Sequence, residues 1–277
     1  MNIKTSLTCV LALAGSIVTS QAVLLAYEGF DTANALTTDA SAAGVTGTGF
    51  SAYGDTNFRY DLEDGLGYSD SSGNTLATTG LSAGMAFAGT TSGTQNLQLT
   101  LTDSITTGII YSSFILNVTA VDGFGLVAGL QDTQVGNSAN PDASLEAVFR
   151  STSSNFGNYS VGLIDDRTGP ATAVGDYFLV SEIDVDTGAM TTWFNPTDLA
   201  NVSGTAASTI VTAAGVGFAD MTSFILSFAG NENGAIDEIR IGTSLLDVTP
   251  VVVPEPTTYA ILAGLAGLCF VMIRRRR

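Results

Sequence analysis

The chain has 277 residues and a formal net charge of −17, from 26 acidic and 9 basic side chains, and it has no histidine. The absence of histidine excludes Ser-His-Asp and Cys-His nucleophile activation and any histidine-ligated zinc. The two cysteines, Cys9 and Cys269, lie in terminal apolar segments, so the middle has no thiol for a disulfide, a nucleophile or a metal. The middle must therefore be stabilised by its core alone.

The acidic residues are concentrated in the middle of the chain. All 26 lie between Glu28 and Glu255, where only four arginines oppose them. Such a surface repels nucleic acid, because contacts to phosphates need clustered lysine and arginine. We expect no nucleic-acid partner; solubility outside a cell or weak binding of calcium fits this charge better.

The first 22 residues have the layout of a secretory signal peptide. Lys4 gives a positive start, and residues 7–18 (LTCVLALAGSIV) form an apolar run. Ser20-Gln21-Ala22 then has small residues at the first and third positions, as an A-x-A-like cleavage site requires. This order is typical of a signal peptide that is removed after Ala22. The alternative is a retained N-terminal anchor, for which the run is short. We predict export across the inner membrane by the Sec machinery.

The segment from residue 23 to residue 250 predicts a β-structured ectodomain. Short runs rich in Ile, Val, Phe, Tyr and Thr alternate with a period of two, and Gly, Asn and Asp clusters separate them. Their number favours an all-β fold, an antiparallel β-sandwich. The predicted strands cover residues 112–119, 144–150, 158–164, 175–185, 190–195, 221–228 and 235–242. Residues 37–93 predict long loops with short strands, and no amphipathic helix of ten residues is expected.

One hairpin is well specified by its turn. The predicted strand over 177–185 runs into Asp186-Thr187-Gly188 and then into the strand over 190–195. A short Asp/Gly turn between two alternating strands is typical of a hairpin. Asn195-Pro196 ends the second strand, because proline cannot donate to the ladder.

Three segments resemble concanavalin A-like jelly rolls, which include laminin-G-like and pentraxin-like domains. The hairpin that ends in residues 193–196 (WFNP) is similar to one of their elements. Residues 236–241 (IDEIRI) resemble their last strand, and residues 24–31 (LLAYEGFD) look like the first strand of many bacterial surface proteins. The resemblance implies a concanavalin A-like sandwich in which the first and last strands pair.

The C-terminal segment, residues 251–277, combines an extended motif with a membrane span. Pro254-Glu255-Pro256 precedes an uncharged apolar run over 257–273, and the chain closes with Arg274, Arg275, Arg276 and Arg277. The run is at the low end of the ~17–25 residues that cross a bilayer, and the arginines act as a cytoplasmic membrane stop. The prolines cannot continue the helix upstream. We predict a C-terminal transmembrane helix with an accessible motif outside it.

This combination resembles the PEP-CTERM sorting signal of Gram-negative and related bacteria. In that family, a membrane protease called exosortase recognises Pro-Glu-Pro, cleaves near it and releases or transfers the protein. The resemblance covers residues 251–277 and implies that Pro254, Glu255 and Pro256 direct processing. It also implies that the anchor is transient and that the mature protein is at the cell surface or extracellular. The alternative is an ordinary tail anchor.

A short acidic run resembles a catalytic motif. Jelly-roll glycoside hydrolases of one family carry Glu-x-Asp-x-Glu on one strand, and Glu182, Asp184 and Asp186 match its spacing with Asp in the third position. Period two puts the three on one face, and retaining hydrolysis needs two carboxyl groups ~5–5.5 Å apart. Because Asp186 also begins the turn, we interpret the three as a solvated outer face opposite Ile183 and Val185.

Two further acids and the tryptophan are candidate binding residues. If the first and last strands pair, Asp31 and Asp237 come close enough to share a structural calcium ion with backbone oxygens. The alternative is two surface acids. Trp193 is the only tryptophan, and on a central strand it is more typical of a core residue than of a sugar-stacking platform.

The sequence therefore predicts a non-catalytic jelly-roll module that is exported, sorted by an exosortase-type protease and displayed at the surface or in the extracellular matrix. Contact with extracellular polysaccharide is part of this expectation. The alternative is a glycoside hydrolase or lyase on the same fold, which rests on Glu182 and Asp184. No cofactor is expected apart from the calcium ion considered above.

Overall fold

The computed structural model describes residues 23–30, 47–54, 60–85, 94–120, 126–131, 146–152, 155–160, 164–166, 173–211, 220–229 and 233–252. The predicted signal peptide, the sorting motif, the apolar run and the arginine cluster lie outside these residues. Within the described ranges, no helix is long and apolar enough to span a membrane. The signal peptide, expected as an N-terminal helix, and the C-terminal transmembrane helix therefore stay predictions.

Two large antiparallel sheets form the domain. Sheet A contains β1 (Leu24–Glu28), β3 (Tyr60–Asp64), β5 (Leu81–Met85), β7 (Ile109–Ala120), β12 (Gly175–Asp184), β13 (Met190–Phe194), β14 (Thr209–Val211) and β16 (Asn233–Gly242). Sheet B contains β2 (Phe50–Gly54), β6 (Thr94–Ile105), β8 (Leu126–Gln131), β9 (Glu146–Thr152), β10 (Asn155–Ser160), β11 (Ile164–Asp166) and β15 (Met221–Ala229). Outside the sheets lie a ribbon of β4 (Thr75–Leu76) and β17 (Val251–Val252), a 3₁₀ helix (Leu199–Gly204) and α1 (Leu245–Val248).

The strand order confirms the predicted jelly-roll β-sandwich. Sheet A runs β14-β13-β12-β7-β16-β5-β3, with β1 also paired to β16, and sheet B runs β11-β10-β9-β8-β15-β6-β2. Consecutive long strands cross between the sheets: β6 and β15 pair in sheet B, while β7 and β16 pair in sheet A. β1 and β16 pair antiparallel from Leu24 with Gly242 to Glu28 with Ile239, so the expected contact between first and last strands is confirmed.

Most predicted strands match observed ones, and one prediction is wrong. The stretch over 158–164 is two strands, because β10 ends at Ser160 and β11 starts at Ile164, and the two pair antiparallel. Gly162 lies in the middle of that stretch, and glycine weakens the interior of a strand. β6 and β8, which were not predicted, complete the middle of sheet B.

The main core fills the space between the sheets. Even-numbered residues of β7 and odd-numbered residues of β12 point into it, as period two requires, and β6, β15 and β8 contribute from the other side. Phe114 of β7 meets Phe224 of β15 edge to face, with ring centroids 5.5 Å apart. Burial of this apolar area is the main term that stabilises the sandwich.

A second apolar cluster lies on the outer face of sheet A. It contains Ile115, Phe178, Val180 and Trp193 from the strands, and Leu76, Leu199, Val202 and Val248 from the segments above them. Tyr68 stacks on Phe178 with centroids 5.1 Å apart, and the Ser113 hydroxyl donates to the carbonyl of Val248 over 2.6 Å. The chain thus covers the middle of this face with its own 3₁₀ helix, α1 and ribbon.

A bulge in β16 allows three isoleucines of this strand to point into the main core. Ile236, Ile239 and Ile241 all point into the main core, although a regular strand would turn Ile236 and Ile239 to opposite faces. The register with β7 shifts between Asp237 and Arg240, and Glu238 has a φ of 55°. The bulge lies where the neighbour of β16 changes from β5 to β1.

Candidate functional site

The bulge brings buried acids together at the junction of β1 and β16. Glu28, Asp237 and Glu238 are each fully buried. Burying a carboxylate is unfavourable unless donors or a cation compensate its charge. These three were not predicted to be buried. In IDEIRI, Ile236 and Ile239 are three positions apart, whereas Ile239 and Ile241 are two apart. The Asp-Glu pair lies in the longer interval, and this irregular spacing is the signal that could have revealed the buried acids.

The carboxylates of Asp237 and Glu28 each accept hydrogen bonds from two backbone amides. Asp237 accepts from the amide of Leu66 over 2.8 Å and from the amide of Glu238 over 2.7 Å, one on each oxygen. Glu28 accepts from the amide of Phe30 over 2.8 Å and from that of Gly47 over 3.0 Å. Both acids therefore hold loop backbone against the end of the sheet.

Glu238 has the basic side chain of Arg240 as its partner. Arg240 donates to Glu238 Oε2 over 2.5 Å and to the carbonyl of Ala77 over 2.8 Å. The Arg240 guanidinium also lies 4.5 Å from the ring centroid of Tyr27, a cation–π contact. Glu238 Oε1 accepts from the Thr79 amide over 2.5 Å and from the Tyr27 hydroxyl over 3.2 Å.

The structure describes only one of the two residues that were predicted to share a calcium ion. Asp31 lies outside the described residues, and Asp237 is buried with an amide donor on each carboxylate oxygen. Among the described residues, no group of three or more His, Cys, Asp or Glu could hold a metal ion. The calcium site between Asp31 and Asp237 stays a prediction.

The hydrolase-like carboxylates lie at one end of β12 and its turn. Glu182 and Asp184 are half-buried on the outer face of sheet A, while Ile183 and Val185 point into the main core. Asp184 Oδ1 accepts from the amide of Asp186 over 3.0 Å, so it is the acceptor of the hairpin turn. Asp186 is exposed and its Oδ2 accepts from the amide of Gly108 over 3.0 Å.

The groups around Asp184 and Tyr111 shift the pKa values of these two side chains. The hydroxyl of Thr187 lowers the pKa of Asp184; burial opposes this, and the amides of Thr187 and Asp186 lower the pKa further, leaving it below its ordinary value. Burial raises the pKa of Tyr111 to about 12, and the adjacent Glu182 carboxylate adds to the rise. Asp184 therefore stays ionised near neutral pH, which is unfavourable for a general acid.

The WFNP motif, residues 193–196, stabilises the fold of the hairpin. Trp193 is buried in the outer cluster of sheet A, so its ring is a core residue there. Asn195 has a φ of 47° and its side-chain oxygen accepts from the Phe178 amide over 2.6 Å. Its side-chain nitrogen donates to the carbonyl of Asp176 over 3.3 Å. Asn195 therefore completes the β12 ladder where Pro196 cannot.

Asp70 joins the ribbon loop to the 3₁₀ helix. Its carboxylate accepts from the Leu199 amide over 2.7 Å, from the Asn74 amide over 2.9 Å and from the Ser72 amide over 2.8 Å. Burial raises the pKa of Asp70, but these bonds and one from the Asn74 side chain outweigh it, and the pKa lies below 3.8. The folded state therefore favours the ionised carboxylate.

The lowered pKa of Asp70 makes the stability of the domain depend on pH. The contribution of Asp70 is complete above its unfolded pKa and is lost as the pH falls through the lower folded pKa. We expect Asp70→Asn to lower the free energy of unfolding by about 1–3 kcal/mol at pH 7, because amides lose a charged acceptor. The difference from the unsubstituted protein should shrink as the pH falls below about 4.

Urea unfolding at several pH values measures this difference. Asp198→Asn is the matched control on the same segment, because Asp198 caps the 3₁₀ helix by accepting from the Ala200 amide and asparagine caps equally well. A penalty for Asp70→Asn that is the same at pH 3 and pH 7 would contradict the assignment.

The outer face of sheet B carries a polar network that the sequence analysis missed. Leu99, Phe224 and Leu130 point into the main core, so Gln98, Ser223 and Gln131 point to the other side of the sheet. Ser223 Oγ accepts from Gln98 Nε2 over 3.1 Å and from Gln131 Nε2 over 2.9 Å. These residues come from three neighbouring strands, and no local pattern in the sequence connects them.

A shallow groove of about 310 Å³ lies beside the turn between β6 and β7. Its lining residues are Leu25, Gly49, Leu101, Thr102, Asp103, Ser104, Ile105, Thr106 and Thr107. Glu182, Asp184 and Asp186 are not part of this lining. The groove and the hydrolase-like carboxylates are therefore separate features.

No protein-family model and no curated protein matches the chain. Lectin II from Ulex europaeus is similar in structure, with a TM-score of 0.40 and 14% identity over 69% of this chain and 98% of the lectin. The metal-free VIP36 exoplasmic/lumenal domain has a TM-score of 0.41 and 10% identity over 69% of this chain and 88% of that domain.

A third similar structure comes from work on endo-acting O-glycanases that members of the human gut microbiota express to initiate mucin breakdown. Its TM-score is 0.45 with 11% identity, over 79% of this chain and 98% of that chain. These similarities concern the fold at low sequence identity, and they do not say what this chain binds.

Proposed function

We propose that this chain is an exported surface or extracellular-matrix protein of a bacterium, with a non-catalytic jelly-roll domain that contacts extracellular polysaccharide. The Sec machinery exports it, and residues 257–273 hold it in the membrane during transit. An exosortase-type protease then cleaves near Pro254-Glu255-Pro256, while Arg274 to Arg277 remain on the cytoplasmic side.

The position of β17 at the C-terminal end of the described residues carries this proposal. β17 pairs with β4 through Val251 and Val252, and Pro254 follows after one further residue. Proline cannot extend the ladder of β17, because it has no amide hydrogen. The motif thus begins two residues after the end of β17 and ends directly before the apolar run. Cleavage there would leave every described strand of the sandwich on one fragment.

The use of the hydrolase-like carboxylates supports a non-catalytic domain. Asp184 and Asp186 accept backbone amides around the hairpin turn, and Glu182 neighbours the Tyr111 hydroxyl. Further along the same strand, the outer face carries Phe178 and Val180 beneath the chain's own 3₁₀ helix and α1. The carboxylates therefore stabilise a sheet end whose neighbouring surface is already covered.

The sorting step is tested by replacing Pro254, Glu255 and Pro256 together by alanine. We expect the variant to keep its C-terminal tail and to stay in the membrane fraction of its native host, because the protease loses its recognition motif. Intact-mass spectrometry of the mature protein and fractionation of cells and medium measure both effects. Alanine at Thr257 and Thr258 is the matched control and should leave processing unchanged. An unchanged mass and location for the triple variant would refute exosortase-type sorting.

A further inference from the structure

The groove beside the β6–β7 turn combines an apolar part with polar residues that solvent reaches. Its volume of about 310 Å³ is at the lower end of the ~300–1,000 Å³ that is usual for ligand pockets. Leu25 and Ile105 are half-buried against the main core, and Leu101 belongs to that core. The remaining side chains of the lining are exposed and polar: Thr102, Asp103, Ser104, Thr106 and Thr107.

Backbone contacts fix the shape of the groove. The Thr102 amide donates to the Gly49 carbonyl over 2.8 Å, which joins β6 to the residue before β2. Gly49 has a φ of 76°, and a Cβ atom there would lie 2.0 Å from the Leu25 carbonyl oxygen, so β1 approaches as closely as only glycine allows. At the turn, the Gly108 amide donates to Asp186. A lining held in this way has less freedom to lose when a ligand binds.

The lining selects a ligand that has both an apolar face and hydroxyl groups. The hydroxyls of threonine and serine can each donate and accept a hydrogen bond. A purely apolar ligand would cover some of them without offering a partner, which is unfavourable. A sugar ring presents C–H groups to the leucine and isoleucine side chains and hydroxyl groups to the polar ones. The groove therefore fits a short part of a polysaccharide.

The charge of the groove and of the domain favours a cationic group on this ligand. Among the described residues of the lining, Asp103 is the only charged one, and it is exposed. All 26 acidic residues lie between Glu28 and Glu255, with four arginines opposing them. Such a field raises the concentration of cations at the surface and lowers that of anions. A sugar with an ammonium group is thus attracted, and a uronic acid is repelled.

We infer that this groove binds an amino-sugar unit of an extracellular polysaccharide, a hexosamine with a free amino group whose ammonium pairs with Asp103. The ring of this sugar lies against Leu25 and Ile105. The inference rests on the proposed polysaccharide contact, to which it assigns residues and a ligand class. The main competitor is a lysine-rich peptide, which has the same charge but no ring hydroxyls.

The test measures binding to the full-length chain, purified in a detergent without a sugar headgroup. The probes are glucosamine oligomers, their N-acetylated counterparts of equal length, alginate oligosaccharides, oligolysine and the extracellular polysaccharide of the native host. Under mildly acidic conditions that protonate the amino groups, the glucosamine oligomer should bind about three-fold or more tightly than its acetylated counterpart, because acetylation removes the charge and keeps the ring. The difference should shrink at high salt. Alginate should not bind.

Two substitutions that change the net charge equally test the position of the site. Asp103→Lys should weaken binding of the glucosamine oligomer about five-fold or more, because attraction becomes repulsion. Glu63→Lys is the matched control, since Glu63 is exposed on β3 and is not part of the lining, and it should change binding less than about two-fold. Oligolysine should respond equally to both variants.

A third substitution tests whether the groove recognises the sugar. Thr107→Val keeps the shape of the side chain and removes a hydroxyl from the lining. It should weaken binding of the glucosamine oligomer about three-fold and leave binding of oligolysine unchanged. Circular dichroism and thermal unfolding verify that each variant is folded.

The outcomes that overturn the inference are distinct. Equal losses in Asp103→Lys and Glu63→Lys mean attraction by net charge alone. Equal affinity for free and acetylated oligomers overturns the ammonium contact, and a loss of oligolysine binding specific to Asp103→Lys favours a basic peptide. If the host polysaccharide binds Asp103→Lys as well as the unsubstituted protein, the polysaccharide contact of the proposed function stands and the groove is wrong. If it does not bind at all, while the glucosamine oligomer binds through Asp103, the groove stands and that contact fails.

Discussion

Replacing Arg240 by methionine is expected to lower the free energy of unfolding by about 3–5 kcal/mol. The substitution leaves the Glu238 carboxyl group fully buried without the guanidinium that lies 2.5 Å from its Oε2. It also removes the donor to the Ala77 carbonyl and the cation above the Tyr27 ring. Chemical denaturation in urea, monitored by tryptophan fluorescence, measures the loss.

The double variant Arg240→Met with Glu238→Gln isolates the contribution of charge. Glutamine keeps an acceptor for the Thr79 amide and the Tyr27 hydroxyl but has no charge to compensate. We expect it to recover a substantial part of the stability that Arg240→Met loses, because removing both members of a buried pair is far less unfavourable than removing one. A double variant as unstable as Arg240→Met would contradict the role given to the ion pair.

Replacing Phe224 by alanine is expected to lower the free energy of unfolding by about 3–5 kcal/mol. Phe224 is fully buried in the centre of β15 and packs edge to face on Phe114 across the two sheets. Removal of the ring leaves a cavity that the surrounding strands cannot close, since both sheets are held by their ladders. The same urea titration measures the effect.

Two further variants make the Phe224 result specific. Phe224→Leu fills most of the volume and should be clearly milder than alanine. Leu246→Ala is the surface control: Leu246 is 70% exposed on α1, and its truncation should change stability by less than about 0.5 kcal/mol. A similar loss in Phe224→Ala and Leu246→Ala would mean that the space between the sheets is not the principal core.

The β12–β13 hairpin was predictable because its information is local. Alternation over residues 177–185, the Asp-Thr-Gly turn and Asn195-Pro196 together define both strands and their connection, and the structure pairs Leu179 with Phe194 and Ile183 with Met190 accordingly. Each strand of a hairpin pairs with the strand that is adjacent to it in the sequence. The sandwich class followed from the number of such segments.

β6 and the β10–β11 break were not predictable by the same means. In β6, Leu97, Leu99 and Leu101 alternate with polar residues, but its pairing with β15 joins residues more than a hundred positions apart. In the 158–164 stretch, the alternating pattern continues from β10 to β11, so period two alone could not locate the strand ends. The ends of a strand depend on which neighbouring strand forms hydrogen bonds with it.

The buried acids show a further limit of sequence analysis. Asp237 and Glu238 were visible as a pair, but an acidic pair in a strand is more often solvated than buried. Only the register of β16 against β1, β5 and β7 puts these two acids inside and turns Arg240 towards them. Burial results from packing around a residue, and the residue's own neighbours in sequence do not encode it.

Composition alone excludes several chemistries, since a chain without histidine and without thiols in its middle cannot host the sites that need them. The sequence also defined the order of apolar termini, Pro254-Glu255-Pro256 and arginine cluster, because these are contiguous patterns that need no partner. Tertiary packing was needed to show that the middle of the outer face of sheet A is covered and that Asp184 accepts the amide of the hairpin turn. It also brought Gln98, Ser223 and Gln131 into one network, because strand pairing joins residues that are far apart along the chain.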